Sequence, residues 1–426
     1  MGTIEPARIR GARSLRACGR ATALATALAL SAPVAAVETA ILSSPVPAAT
    51  AELAYSIDVD GTRIVLGAPG ENAGAGAVYV FDCANLPCIA PQRLAPVDAG
   101  ADDELGTAVA ISGDTLVATA PGPEPGAAYV YVFDDGAWTQ QAKLTPGGGS
   151  TGEHFGAAVA MSGDRIAIGA DQAGFGAGAV YVFVRSGASW VQEARLSAGD
   201  AAPRDAFGTS VALDADTLVA GAPIKRTGAA GSYANGAAYV FSRGGGTWTQ
   251  QARLTASGAN GDLFGFSVDA AGDRAVVGAP YAANARGTAY VFSRSGSAWS
   301  QQTQLNAASG AAGDEFGWSV ALGSDRVVVG APFTGQLAEA ACGHAYVFEG
   351  AALAEGNAGA VTAPVLNELT GWSVAASGQS WAASAPGHAI GPSDHAGAAY
   401  WFDGAITIFQ SGFDTLSTCI DPDEDD

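Results

Sequence analysis

Histidine and carboxylate side chains are the residues of this sequence that could do chemistry, because together they bind metal ions or transfer protons. His388, Asp394 and His395 share the loop GHAIGPSDHAG and could supply two nitrogens and one carboxylate to a metal ion. No regular element fixes their geometry, so solvated loop residues are the simpler interpretation. A polysaccharide-acting hydrolase or lyase that uses loop residues of this kind is the alternative to a binding function.

The sequence lacks hydrolase motifs in the context that catalysis requires. Its GxSxG match, GGSTG at 148–152, lies in a glycine-rich segment and not at the strand-to-helix turn that would carry the nucleophile of a Ser-His-Asp triad, and no SxDxGxxW box occurs. The sequence does not exclude a pair of catalytic carboxylates of the glycosidase type, because acidic residues occur in most of the loops between repeats. We therefore predict a protein without enzymatic activity.

The composition favours β-structure and argues against several classes of protein. Of the 426 residues, 58 are Gly and 48% are hydrophobic. An interior glycine costs a helix about 1 kcal/mol relative to alanine, so an all-α fold is unfavourable, while the apolar fraction is large enough for an extensive core. The net charge of −21 disfavours nucleic acid and anionic membranes, since both are bound through Lys and Arg. We expect neither nucleic-acid binding nor membrane insertion.

One sequence unit recurs about every 50 residues, a period typical of propellers and arrays. The unit begins with Phe-Gly, continues to Gly-Ala-Pro and ends on Tyr-Val-Phe. Its seven copies begin at Leu53, Leu105, Phe155, Phe207, Phe264, Phe316 and Thr370. Each copy has room for four short strands, and the third copy predicts strands over Ala157–Met161, Arg165–Ala170, Ala179–Phe183 and Trp190–Leu196.

Small residues and tryptophans take fixed places in this unit. Small residues dominate the predicted first strand, as in AAVA, TSVA, FSVD and WSVA, which indicates that these strands crowd a central axis. Tryptophans open the fourth strand of four copies, where we expect the ring to cover the edge of the sheet and the indole N–H to face water. These residues are Trp138, Trp190, Trp248 and Trp299.

The FG…GAP…YVF unit resembles the FG-GAP repeat, which is known from the N-terminal propeller of integrin α chains and from secreted bacterial proteins. The resemblance covers about Leu53 to Phe402. It implies an all-β fold, a seven-bladed β-propeller of four-stranded antiparallel blades, which we assign to residues 37–409. The outer strand of the last blade comes either from Thr39–Val46, which we favour, or from Ala405–Phe409.

Integrin-type repeats often hold Ca²⁺ in a DxDxDG loop between the first two strands, since Ca²⁺ takes about six to eight oxygen ligands. In this sequence the equivalent turns, such as 162–164 and 213–216, keep only one or two carboxylates, and the sequence DVDG at 58–61 comes closest. We interpret these segments as hairpin turns and expect no cofactor. The sequence does not exclude calcium binding at other acidic segments, for instance at Asp102, Asp103 and Glu104.

The N-terminus has the order of a secretory signal peptide: a basic region, the apolar run Ala21–Leu30 and a small-residue cleavage site near Ala36. We predict that residues 1–36 are a signal peptide and that the protein is secreted or lies in the periplasm or cell envelope. Residues 410–426 end in DPDEDD and are interpreted as an acidic tail.

Four cysteines follow the predicted cleavage site, and an oxidising compartment favours disulfides. Cys83 and Cys88 lie in the short segment CANLPC, which predicts a local bridge, and Cys342 would then pair with Cys419. Zinc is the alternative, but CxxC-like spacing of ligand pairs is absent.

Ligands of propellers usually contact the loops of one rim, here those that join the second strand to the third and the fourth to the next first. The longest such loop is Ile224–Gly236, and Phe175 and Phe333 lie in corresponding loops of other repeats. We expect a monomer that binds an extracellular protein or glycan; a structural envelope component without a specific ligand is a third interpretation. The predicted ligand-binding residues are Lys225, Arg226, Tyr233, Tyr281 and Arg286.

Overall fold

A computed structural model shows seven four-stranded antiparallel sheets arranged as a seven-bladed β-propeller, which confirms the predicted fold class. The structure describes residues 40–45, 51–86, 88–122, 125–149, 152–226, 235–256, 261–334, 342–350, 353–355, 368–388 and 396–402. In six blades the strands follow chain order from the axis outward, and in blade 7 the outer strand comes from the N-terminal part of the chain. That strand is β1 (Ala40–Ser43).

The first four blades lie between residues 57 and 254. Blade 1 contains β2 (Ile57–Asp60), β3 (Arg63–Ala68), β4 (Ala77–Asp82) and β5 (Ile89–Leu94). Blade 2 contains β6 (Val109–Ser112), β7 (Thr115–Ala120), β8 (Ala127–Asp134) and β9 (Ala137–Leu144). Blade 3 contains β10 (Phe155–Ser162), β11 (Arg165–Ala170), β12 (Ala179–Ser186) and β13 (Ser189–Leu196). Blade 4 contains β14 (Val211–Asp214), β15 (Thr217–Ala222), β16 (Ala237–Gly244) and β17 (Thr247–Leu254).

The other three blades follow. Blade 5 contains β18 (Ser267–Ala271), β19 (Arg274–Ala279), β20 (Thr288–Ser295) and β21 (Ala298–Leu305). Blade 6 contains β22 (Ser319–Leu322), β23 (Arg326–Ala331), β24 (His344–Glu349) and β25 (Ala354–Glu355). Blade 7 contains β26 (Val374–Ser377), β27 (Ser380–Ala385) and β28 (Ala398–Phe402), with β1 as its outer strand. Short turns whose two central residues have positive φ join the second strand to the third in blades 1, 3 and 5: α1 (Glu71–Gly74), α2 (Ala173–Gly176) and α3 (Ala282–Ala285).

The first strands of the blades close a ring around the axis, since β2 contacts both β6 and β26 and each of the others contacts its two neighbours. The second and third strands are buried on both faces; Ile166 of β11, for example, lies opposite Phe183 of β12. This burial explains why the repeat reads as a nearly continuous apolar run through VYVF. The stacked faces of adjacent blades form the hydrophobic core.

The FG-GAP motif is the contact between adjacent blades. A Cβ atom on Gly169, the glycine before Ala170, would lie 2.0 Å from the carbonyl oxygen of Gly208 in the next blade. Gly208, which follows Phe207, has a φ of +92°, a conformation that favours glycine. Phe207 itself is fully buried and packs edge-on against Tyr239, with 5.7 Å between ring centroids. The two glycines therefore let the backbones meet while the phenylalanine fills the interface.

Tryptophans of the outer strands join neighbouring blades through their indole N–H groups. Each donates to a glutamine or glutamate side chain on the outer strand of the preceding blade. The prediction of a water-facing indole is therefore wrong for three of them, because the interblade partner replaces water. The Nε1 to Oε distances are 3.0 Å for Trp190 and Gln141, 2.9 Å for Trp248 and Glu193, and 2.7 Å for Trp299 and Gln251.

Ring closure uses the N-terminal segment. Strand β1 pairs antiparallel with β28, with Ala40 opposite Trp401 and Ser43 opposite Ala398. The alternative strand, Ala405–Phe409, lies outside the described residues. Blade 7 thus combines strands from both ends of the described chain, which ties the ring together.

The predicted local disulfide is present between Cys83 and Cys88. Cys342 is buried and disulfide-bonded, and its predicted partner Cys419 lies outside the described residues. Within the described part of the chain, no helix is long and apolar enough to cross a membrane.

Candidate functional site

A strained turn before each first strand fixes one side chain at the axial end of every blade. The residue before each FG pair, or its replacement, has a positive φ although it is not glycine, and its carbonyl oxygen accepts a hydrogen bond from the residue after the pair. In blade 6 the N–H of Trp318 donates to the oxygen of Glu315 at 3.0 Å. The residues with positive φ are Glu52, Glu104, His154, Ala206, Leu263, Glu315 and Leu369.

Aromatic side chains occupy this axial position in four consecutive blades. Phe266, Trp318, Trp372 and Tyr55 follow one another around the axis in blades 5, 6, 7 and 1, and Phe333 packs beside them. Successive ring centroids lie 4.7, 4.9 and 5.6 Å apart, and Phe333 lies 5.4 Å from Trp318. All five side chains are partly exposed to solvent. We call this continuous surface the aromatic crescent.

The other three blades carry small residues at the same position, namely Thr107, Ala157 and Thr209. The two threonine hydroxyls donate to carbonyl oxygens of their own turns at 2.8 Å, Thr107 to Glu104 and Thr209 to Ala206. Each of these hydroxyl groups therefore donates its hydrogen bond within its own turn. The axial face is aromatic on one side and small and polar on the other.

Carboxyl groups border the aromatic crescent. Burial raises the pKa of Glu315 to about 7, and its Oε2 atom has no hydrogen-bond partner among the described residues. The pKa of the neighbouring Tyr281 is raised by burial and by the charge of Glu315. At the other end, burial and then Glu52 and Glu104 raise the pKa of Tyr55. The crescent therefore combines apolar rings with carboxyls, one of which titrates near neutral pH.

Lys225 does not have the exposed position that the sequence predicted. Its ammonium group is buried and lies 2.8 Å from the carboxylate of Asp205. Asp200 lies beside it, accepting hydrogen bonds from Tyr239 at 2.7 Å and Arg253 at 2.8 Å. The cation therefore neutralises the buried carboxylate of Asp205 in the connection that precedes blade 4, and its charge is not available at the surface.

The other predicted rim residues do not converge on one site. Arg226 and Arg286 are exposed, Tyr281 is 44% exposed, and Tyr233 lies outside the described residues. Tyr281 and Arg286 flank α3, where Tyr281 lies near Glu315 and the charge of Arg286 acts on Asp314. Of the rim residues named from the sequence, Phe333 is the one that enters the aromatic crescent.

The histidine of the alternative catalytic set has a structural partner. His388 Nδ1 lies 2.6 Å from Glu368 Oε1, and the same carboxylate accepts from the Tyr400 hydroxyl. Asp394 and His395 lie outside the described residues. In the part of the chain that the structure describes, no three His, Cys, Asp or Glu side chains are arranged to hold a metal ion.

The carboxylates nearest to a calcium motif bind backbone groups. Asp58 Oδ2 accepts the N–H of Ile111 at 2.8 Å, and Asp60 Oδ2 accepts the N–H of Gly113 at 2.6 Å. Both bonds cross from blade 1 to blade 2. These oxygens therefore join blades in the structure.

The aromatic crescent was missed because its residues were assigned to the small first strand. The structure corrects this: β18 begins at Ser267 and β22 at Ser319, so Phe266 and Trp318 lie in the turn before the strand. The signal is visible in the sequence as the residue after each FG pair, which reads Tyr, Thr, Ala, Thr, Phe, Trp, Trp from blade 1 to blade 7. Blades 7 and 1 are neighbours in the ring, so the four blades that carry an aromatic residue at this position are contiguous.

The family assignment rests on repeated matches. The model of the FG-GAP repeat matches five regions that together cover more than half of the chain: 91–131, 138–183, 190–241, 248–292 and 299–348. Each match extends from an outer strand, or the residues next to it, into the third strand of the following blade. No curated protein was found to match the sequence. With the repeated motif, the seven blades and these matches in agreement, the chain belongs to the FG-GAP repeat family.

Proposed function

We propose that this protein is an exported, non-enzymatic binding module that holds an extracellular protein or glycan against the aromatic crescent. The carrying observation is the asymmetry of the axial face. Blades 2, 3 and 4 form the same turn with Thr107, Ala157 and Thr209, so the turn does not require an aromatic side chain. Four partly exposed aromatic residues in contiguous blades form an apolar patch at the surface, which supports a role in binding.

Aromatic rings suit both kinds of partner. Tryptophan and tyrosine contribute large rigid surfaces at protein interfaces, and their faces also pack against the apolar faces of sugars. Trp372 lies at the centre of the aromatic crescent, in contact with Tyr55, Trp318 and Phe333. A partner that covers the crescent would therefore bury Trp372 most completely, and we assign it the largest share of the binding energy.

We also propose that the protein is exported and that it has no enzymatic activity. The signal-peptide pattern of residues 1–36 and the Cys83–Cys88 disulfide both fit an oxidising compartment. The partly exposed surface at the axial end is aromatic, and the carboxyl that titrates near neutral pH, Glu315, lacks a second catalytic group in hydrogen-bond contact among the described residues. The protein acts as a monomeric adhesion or interaction module without a cofactor.

The test is a binding screen of the protein against host cells, bacterial surfaces and a glycan array. The variant Trp318→Ala/Trp372→Ala removes the centre of the crescent, and Phe175→Ala, which removes a ring that is 92% exposed elsewhere on the same end, is the matched control. We expect the double variant to abolish binding and the control to retain it. Binding lost in Arg226→Ala, at an exposed arginine of the loop 224–236, but kept by the double variant would place the site at the loop, and polysaccharide turnover would establish the enzymatic alternative.

A further inference from the structure

A ring of hydrogen bonds links the blades at the axial end opposite the aromatic crescent. There, the last side chain of a first strand accepts the N–H of the hairpin turn in the next blade. Within the described residues this bond is present at five of the seven blade junctions. The donor and acceptor pairs are Gly113 and Asp60, Gly163 and Ser112, Ala215 and Ser162, Gly272 and Asp214, and Gly61 and Ser377.

Two neighbouring junctions lack the acceptor. Ala271 of blade 5 and Gly323 of blade 6 take the place of the aspartate or serine and have no side-chain oxygen. The N–H of Ser324 reaches only the carbonyl oxygen of Gly378, at 3.4 Å. The N–H of Gly378 has no acceptor among the described residues. The ring is therefore open between blades 5 and 7, where the turn N–H groups have no side-chain acceptor from the preceding blade.

A cavity lies at this opening. Its volume is about 290 Å³, and it is lined by Ala271, Arg274, Leu322, Gly323, Ser324 and Gly378. Ser324 and Gly378 are exposed, so solvent reaches the cavity. The lining contains Ala271 and Gly323, which have no acceptor side chain, and Ser324 and Gly378, whose turn N–H groups would bind such an acceptor. The cavity is the space in which the missing oxygen would lie.

Arg274 supplies a cation to this cavity. Arginine begins the second strand in four blades, and the other three are paired: Arg63 with Asp114 at 2.6 Å, Arg165 with Glu193 at 3.4 Å and Arg326 with Glu349 at 3.0 Å. Among the described residues, Arg274 has neither a hydrogen bond nor an ion pair. A partly buried guanidinium without a counter-ion attracts an anion.

The surrounding charges do not cancel Arg274. The carboxylates of the two turns face other arginines: Asp273 pairs with Arg294 at 2.7 Å, and Asp325 lies 3.6 Å from Nε of Arg326. Arg326 lies behind Gly323, where a Cβ would approach its Cγ to 2.8 Å. Its Nε and Nη1 atoms are buried without hydrogen-bond acceptors in the described part of the chain. The cavity thus has Arg274 in its lining together with the turns that carry the N–H groups of Ser324 and Gly378.

We propose that this cavity binds the carboxylate group of a small organic acid. The carboxylate would take the place that Asp60 and Asp214 fill at other junctions, accepting hydrogen bonds from the turn N–H groups while Arg274 provides the opposite charge. The site is independent of the aromatic crescent, since it lies at the other end of the axis. Its failure would leave the proposed binding function untouched.

The experiment is a titration of the protein with acetate at constant ionic strength, followed by the amide NMR signals of Ser324 and Gly378. We expect saturable shifts of both signals. The variant Arg274→Gln should weaken acetate binding about tenfold, because a charge-assisted hydrogen bond is lost. The variant Ala271→Asp should remove binding, because its own carboxylate fills the site. Arg226→Gln, at an exposed arginine on the opposite end, is the matched control and should bind acetate like the parent.

The outcomes separate the proposal from its alternatives. Shifts that do not saturate, or that are equal in the parent and in Arg274→Gln, would overturn it. Inorganic phosphate binding at least about tenfold more tightly than acetate would overturn the assignment to a carboxylate. If Ala271→Asp does not fold, the difference between Arg274→Gln and Arg226→Gln still decides the question.

Discussion

The axial end that carries the aromatic crescent has two sides, which have the same backbone turn and differ in their side chains. Blades 5, 6, 7 and 1 present Phe266, Trp318, Trp372 and Tyr55, whereas blades 2, 3 and 4 present small residues from the same left-handed turn. Folding therefore explains the turn but not the rings. The turn forms equally with small residues, so the difference supports our proposal that the aromatic side binds a partner.

The strongest way to break this comparison is to remove its central ring. We expect Trp372→Ala to weaken binding of a partner found in the screen by at least about 30-fold, roughly 2 kcal/mol, since a central aromatic residue of an interface contributes on this scale. Affinity is measured by surface plasmon resonance, with Phe175→Ala as the control. Equal affinities of the two variants would show that the partner binds elsewhere.

Two blades of the aromatic side also differ from the rest along the axis, since Asp58 and Asp269 line blades 1 and 5 and alanines occupy the same position in the other five blades. Burial is the main cause that raises the pKa of Asp58 to about 7 and of Asp269 to about 6. The native state thus binds these protons more tightly than the unfolded chain. This stabilisation is complete below the unfolded pKa of about 4 and is lost as the pH rises through 6 to 7.

We therefore expect the free energy of unfolding to fall between about pH 4 and pH 7, and Asp58→Asn to reduce that fall by about 2 to 4 kcal/mol. Urea unfolding at several pH values measures the effect. Asp134→Asn, at an exposed carboxylate, controls for the change in net charge. An unchanged pH slope in Asp58→Asn would contradict the assignment of the titrating group.

Transferring an aromatic residue to the small side sharpens the comparison. We expect Ala157→Trp to change the free energy of unfolding by less than about 1 kcal/mol, because the same turn carries tryptophan in blades 6 and 7. Phe155→Ala, two residues earlier but fully buried, should cost about 3 to 5 kcal/mol. A large loss of stability in Ala157→Trp would mean that the small side is small for packing reasons.

The smallest expected effect concerns calcium. We expect the melting temperature to be the same in EDTA and in excess Ca²⁺, because the carboxylates of Asp58 and Asp60 accept backbone N–H groups of the next blade. Differential scanning fluorimetry measures this, with Mg²⁺ as the control for ionic strength. A calcium-specific rise in melting temperature would show that an acidic loop, such as 102–104, holds the ion.

The repeat made the architecture predictable, because each copy carries the contacts that define a blade. Gly169 and Gly208 are visible in the sequence as the glycine of the GAP position, which reads Gly-Ala-Asp in this copy, and the glycine of FG, and their close approach follows from the lack of a Cβ. The strand Arg165–Ala170 was predicted with its observed bounds. The partners of Trp190 and Lys225 were not predictable, because they come from another blade or from the connection that precedes the blade.

The aromatic crescent shows a different limit. Its residues are visible at one position of the repeat, but only the ring closure between blades 7 and 1 brings Trp372 within 5.6 Å of Tyr55, more than 300 residues away in sequence. The gap in the axial hydrogen-bond ring is likewise a comparison among blades: Ala271 is ordinary in its own repeat and matters because other repeats have Asp or Ser there. Sites of this kind arise from differences between copies.

The central claim is that the aromatic crescent is the binding surface, and indole NMR tests it most directly. The N–H signals of Trp318 and Trp372 report on the crescent, whereas those of Trp190, Trp248 and Trp299 report on hydrogen bonds between blades. On addition of a partner identified in the screen, we predict saturable shifts of the Trp318 and Trp372 signals, with the other three unchanged. Saturable binding that leaves Trp318 and Trp372 unshifted would contradict the claim.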